Sequence, residues 1–344
     1  MAAIAGKDAR VNVRLSHFLR RCLSVGGLLL AALAVLLASD VAEAAKKKKE
    51  PPPVPFTRPE IVLSWINDYR LNPTPERLPD AFKAMREQGQ FKEVESAGIY
   101  VGFIAGVLGS NPEKAEKLIS DMFPMPPPDQ VVVVKAIAYS GLADWKDLMG
   151  KFVERMPARK VIIERYLYGK LPVLRDLPLD SPMGVDANWG YYFATGSSEP
   201  IQRLVRTLAW SSDKNNMERL TIGSMVKWTL AQNASKDHDL LQYLKTSLPH
   251  QPENVEKPLA EVIEGAETFE LAKIRKDALA SIEELKTKGS ENARNFSWWG
   301  QAGQTAFALG CVAAGVTGQI YMGVPCVVGG ALSNVALKYL APAE

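Results

Sequence analysis

Few residues in this chain have both the type and the spacing for chemistry. Downstream of residue 44 there are two histidines, His238 and His250, twelve apart. Neither has a cysteine or a second histidine at zinc-ligand spacing, so no structural or catalytic zinc site is expected. A serine or cysteine nucleophile needs a base beside it. No G-x-S-x-G turn is present, and neither histidine sits in a catalytic motif. No G-x-x-x-x-G-K-[ST] or G-x-G-x-x-G stretch follows a strand-like segment, so no phosphate cradle or dinucleotide cofactor is expected. The paired carboxylates Glu283-Glu284 are adjacent and do not share a helix face. The remaining reactive pair is Cys311 and Cys326. In an oxidising compartment an even number of cysteines reads as a disulfide.

The compartment is read from the N-terminus. Lys7, Arg10, Arg14, Arg20 and Arg21 precede an apolar run, Leu23 to Ala38, and then Ala42-Glu43-Ala44. A basic region, an apolar region and an A-x-A site make a secretory signal peptide over 1–44. The apolar run is long, which leaves an uncleaved anchor as the rival. Cleavage after Ala44 removes five basic and three acidic residues from totals of 41 and 38, so the mature chain is close to neutral. Nothing in the charge points to nucleic acid. Residues 45–57 are a lysine- and proline-rich linker. Lys46 to Lys49 repel one another and Pro51 to Pro53 favour an extended chain. It reads as a spacer, or as a basic arm touching anionic lipid.

Between the linker and residue 290 the pattern is helical. Of the 344 residues, 47% are apolar and 23% charged, enough to bury a core. Thr74-Pro75-Glu76 and Asn111-Pro112-Glu113 look like helix starts, with a capping residue before a proline. Asn215 and Glu218 have the form of a capping box. Ile201, Leu204, Val205 and Leu208 fall on one helical stripe, as do Val255, Leu259, Val262 and Ile263. Leu271, Ile274, Ala278, Ile282 and Leu285 predict the longest helix, about 266–288. The run Gln130 to Val134 is β-branched, but a lone strand would leave its backbone unpaired. No second strand is at hand, so a helix is expected.

Short helices must stack to bury their stripes. The expected fold is therefore all-α, an irregular, α-solenoid-like stack. Tryptophans recur at Trp65, Trp145, Trp189, Trp210 and Trp228 without a fixed period. The proline-rich stretch 171–185 is expected to separate two helical halves, 58–170 and 186–290.

The stretch Asn188 to Ala194 carries Trp189, Tyr191, Tyr192 and Phe193, and Thr195-Gly196-Ser197-Ser198 follows it. This predicts a helical hairpin. Gly196 is its left-handed C-cap and Ser198 caps the next helix. The aromatics read as core, or as the lining of a groove for a peptide or lipid. The hairpin, followed by MVKWTLAQNASKDHDLLQYL, resembles a family of uncharacterised secreted helical proteins from proteobacteria. That resemblance implies tetratricopeptide-like helix pairs and no agreed activity.

No charged residue lies between Arg294 and Lys338. Residues 291–344 are expected to form a glycine-rich helical hairpin turning near Gly318-Gln319, which brings Cys311 opposite Cys326. A disulfide there would stabilise the fold by about 3 kcal/mol. Gln301, Gln304, Gln319, Ser333 and Asn334 make it polar for a membrane span, so the hairpin reads as docked on protein, with membrane contact through 300–340 as the alternative. The expected function is an exported, non-enzymatic scaffold or binding protein of the cell envelope, with another envelope protein as partner.

Overall fold

The computed structural model describes residues 53–268 apart from residue 93, together with residues 274, 276, 277, 280 and 284. The segment expected to be a signal, the lysine run and the hairpin expected to pair Cys311 with Cys326 lie outside the described residues. So does the 271–285 stripe, except for Ile274, which is buried. The chain divides after Pro55, and the described helices, apart from the few single residues described beyond 268, run from Pro59 to Thr268 in the unit that begins at Phe56.

The fold is all-α: among the described residues every regular element is a helix. In order these are α1 (Pro59–Asp68), α2 (Leu78–Glu87), α3 (Gly98–Ser110), α4 (Pro112–Asp121), α5 (Pro127–Tyr139) and α6 (Trp145–Phe152). They continue with α7 (Lys160–Leu167), α8 (Pro182–Thr195), α9 (Ser198–Thr207), α10 (Met217–Ala234), α11 (His238–Ser247) and α12 (Glu253–Thr268). None is long and apolar enough to cross a membrane.

The helices alternate in kind. α3, α5, α8 and α10 are buried nearly all round, whereas α4, α6, α9 and α11 each bury one stripe. Each buried helix is thus followed by an amphipathic one that covers it. This makes two layers: an inner row holding the core and an outer row facing water. α3 packs between α5 and α8, while α10 packs on α12 and on the short turn Leu208–Ser212. The β-branched run 131–134 does form a helix, as its lack of a strand partner requires. Val132, Val133 and Val134 are fully buried in α5, and that burial outweighs the few tenths of a kcal/mol lost per valine in helix propensity.

The two halves meet along α3 and α8, which run parallel. Gly98, Gly102 and Gly106 recur every fourth residue and so line one face of α3. They face Met183, Ala187 and Ala194 in the same order. A Cβ added at Gly102 would sit 1.9 Å from the Ala187 carbonyl oxygen, and one at Gly190 would sit 2.1 Å from that of Ile99. The helices therefore touch backbone to backbone, which glycine alone allows. α8 starts at Pro182, inside the stretch expected to be a connection, because Ser181 caps it by accepting a bond from the Gly184 N–H at 3.4 Å.

A second tie joins the halves. Arg70, just past α1, pairs with Asp237 at 2.6 Å and Asp239 at 3.0 Å. The Tyr192 hydroxyl donates to Asp237 at 2.7 Å, and Asp237 also caps α11 through the Leu240 N–H. Nearer the N-terminus, Phe56, Trp65, Tyr69 and Phe103 pack edge to face, with the Arg77 guanidinium 4.1 Å above the Phe56 ring.

Several helix starts differ from expectation by one residue or in their chemistry. α10 is capped by Asn216, not Asn215, and α9 by Ser197, not Ser198. At residue 75 only a single turn forms, and α2 begins at Leu78. Thr74 makes no cap there; its hydroxyl accepts from the Trp65 indole at 2.9 Å. α4 does start at Pro112, but the Asn111 side chain reaches back to the Val107 carbonyl of α3.

Burial of tyrosines gives the fold an alkaline limit. Burial pushes the Tyr69 hydroxyl up to about 12, and it raises Tyr100, Tyr139, Tyr166 and Tyr192 as well. A raised folded-state value means the stabilisation is complete below the unfolded value of 10.0. It is lost as pH climbs through the folded values. Lys135 and Lys236, both lowered by burial, act the other way but are outnumbered by these five tyrosines. Thermal melts are expected to hold their midpoint up to about pH 10 and then fall steeply. The tyrosinate absorbance should rise together with loss of helix. Ionisation of these tyrosines with the helices intact would contradict the packing described.

Candidate functional site

An open groove of about 400 Å³ lies where the two halves meet. One wall is the α5–α6 turn with Leu142 and Trp145. The opposite wall is Asn188 and Tyr191 of α8 with Pro200 and Arg203 of α9, and the segment 173–175 closes one side. Beyond Trp145 and Val173 a shallower recess of about 500 Å³ continues over Lys146, Tyr166 and Lys170.

Local sequence explains each wall. Gly141 takes a φ of 75°, which turns the chain sharply after α5. A Cβ there would come within 3.2 Å of the Tyr191 hydroxyl. That hydroxyl donates to the Ser140 carbonyl at 3.3 Å, so Tyr191 links α8 to the end of α5. Gly196, at φ 68°, ends α8 in the left-handed conformation expected of it. α9 then folds back and brings Arg203 alongside Asn188.

Arg203 is the most constrained polar group of the groove. Its Nη1 donates to the Leu174 carbonyl at 2.5 Å and to Asn188 Oδ1 at 3.1 Å, and its Nη2 donates to the Leu177 carbonyl. The Asn188 amide is itself fixed, because Nδ2 donates to the Gly184 carbonyl at 2.8 Å. All three acceptors of Arg203 are neutral. Among the described residues no carboxylate pairs with Arg203 within ion-pair distance. Burial draws its pKa down, and Glu199, one turn earlier, works against that. The half-buried Tyr191 hydroxyl is raised by burial too, with Glu199 adding to it.

The expected groove aromatics separate into two sets. Trp189, Tyr192 and Phe193 are core. Trp189 stacks on Phe193 with centroids 5.6 Å apart, and its indole donates to Thr229 of α10 at 3.2 Å. Tyr191 alone of the four lines the groove. Trp145, Asn188 and Arg203 carry no mark in the sequence as groove residues. The partners of Arg203 lie 15, 26 and 29 residues away, so no local motif marks it. Among the described residues no three histidine, cysteine, aspartate or glutamate side chains gather to hold a metal. His250 faces the Thr246 carbonyl at 3.2 Å, four residues back along the chain.

Family models, curated proteins and solved structures yield no match to this chain.

Proposed function

We propose that this is an exported, non-enzymatic helical binding protein of the cell envelope, acting through contacts with another protein along the groove between its halves. The observation that supports the reading is Arg203. It is a half-buried guanidinium held rigid by neutral acceptors, with no carboxylate among the described residues within ion-pair distance, although Glu199 and Asp176 act on it from farther off. A fixed cation beside Trp145 and Tyr191 is an arrangement for recognition. The outer helices α6 and α9 contribute Trp145, Glu199 and Pro200 to its surroundings, and the inner helices α5 and α8 supply rigidity. Export rests on the sequence of residues 1–44.

The test is site-directed photo-cross-linking in intact cells. A benzophenone side chain replaces Trp145 in one variant and exposed Lys83 of α2 in another. The position-145 variant should give one discrete adduct that the Lys83 variant lacks. Equal labelling from both positions, or none from position 145, would remove the groove as the contact surface.

A further inference from the structure

We infer that the groove takes a ligand bearing a single carboxylate on an apolar body, with the carboxylate seated on Arg203; this rests on the reading of the groove as a binding surface. A guanidinium has five N–H groups. Three bonds to neutral acceptors fix the plane of Arg203, which leaves two N–H groups to donate. A planar fork fixed in this way matches a carboxylate, and its partial burial spares the pair from full screening by water. The space beside it, about 400 Å³, is walled by Leu142, Trp145, Val173, Pro200 and the Tyr191 ring. That is the size of a small ligand or of one or two terminal residues of a chain. Glu199, on the same lining, disfavours a second negative charge. Asp176, at the rim beside Arg175 at 3.7 Å, also acts on Arg203 from beyond ion-pair distance and adds to this. A monoanion is therefore preferred over phosphate or a dicarboxylate. The occupant that fits this chemistry and the reading of the groove as a protein contact is the apolar C-terminus of a protein chain.

The experiment is a titration of the full chain, followed through the Trp145 indole N–H and the Arg203 Nε–H resonances. N-acetylphenylalanine should shift both saturably, and its amide should need at least about a tenfold higher concentration. Inorganic phosphate should move neither. Glu199→Gln should tighten N-acetylphenylalanine several-fold, since it removes a like charge. Removing Arg203 would also release the 174–177 turn, so the comparison of acid and amide on the intact protein carries the test. N-acetylphenylalanine titrating below decanoate supports a protein terminus, and the reverse order, a lipid chain preferred, would overturn it. Acid and amide acting alike, phosphate shifting the same resonances, or Glu199→Gln leaving affinity unchanged would each overturn it. If that happens while position 145 still cross-links to a partner, the groove remains a binding surface and only the ligand class fails.

Discussion

Gly102→Ala is expected to lower the stability of the fold by about 3 kcal/mol, and Gly190→Ala by a similar amount. Alanine normally gains on glycine inside a helix by roughly 0.5–1 kcal/mol. Here the added methyl would sit 1.9 Å from the Ala187 carbonyl oxygen in one case and 2.1 Å from the Ile99 carbonyl oxygen in the other. Both obstacles are backbone atoms within a helix, which cannot rotate away like a side chain. Relief requires α3 and α8 to separate along their length, and that loosens both halves. Gly150 provides the control. It is an exposed residue of α6 with no heavy atom within 4 Å of its built Cβ. Gly150→Ala should therefore stabilise by about 0.5 kcal/mol. Urea unfolding midpoints for the three variants measure the contrast. Gly102→Ala and Gly150→Ala changing stability in the same direction would contradict backbone contact between α3 and α8.

Trp189→Ala is expected to cost about 4 kcal/mol. The indole is fully buried and sits among the Tyr192 ring, the Phe193 ring and the Thr229 hydroxyl. Truncation removes the largest fully buried side chain among the described residues and leaves a cavity between α8 and α10. It also leaves the Thr229 hydroxyl without its donor, although Thr229 keeps its own bond to the Val226 carbonyl. Trp189→Phe should cost less, since a ring still fills most of the space. A Trp189→Ala variant with a near-native midpoint would mean that these aromatics line an open surface instead of the core.

What is legible in the sequence is what depends on near neighbours along the chain. The stripe Ile201, Leu204 and Val205 is buried in α9, and Val255, Leu259, Val262 and Ile263 are buried in α12, as the helical period requires. The left-handed turn at Gly196 follows from residue type. Caps shift by a single position, Asn216 for Asn215 and Ser197 for Ser198, because the backbone of the preceding loop decides which polar residue points inward. Thr74 fails to cap for a different reason: an indole nine residues away takes its hydroxyl.

The spacing of Gly98, Gly102 and Gly106 is in plain view, but it gains its meaning only from the helix laid against it, some 85 residues later. The groove is less legible still. Its cation, its amide and its aromatic wall come from α9, α8 and α6, and the carbonyls that fix Arg203 belong to an irregular segment with no pattern of its own. A site assembled from long-range contacts leaves no signature in any one stretch.

A groove with one wall from each half can be a fixed binding surface only if the two halves are a single cooperative body. Native-state hydrogen exchange tests this most directly. Amides of α3, α5, α8 and α10 should exchange only through global unfolding and share one free energy of opening. If α8 and α10 opened together at low denaturant while α3 and α5 stayed protected, the halves would be separable, and a groove built from both could not hold its shape for a ligand.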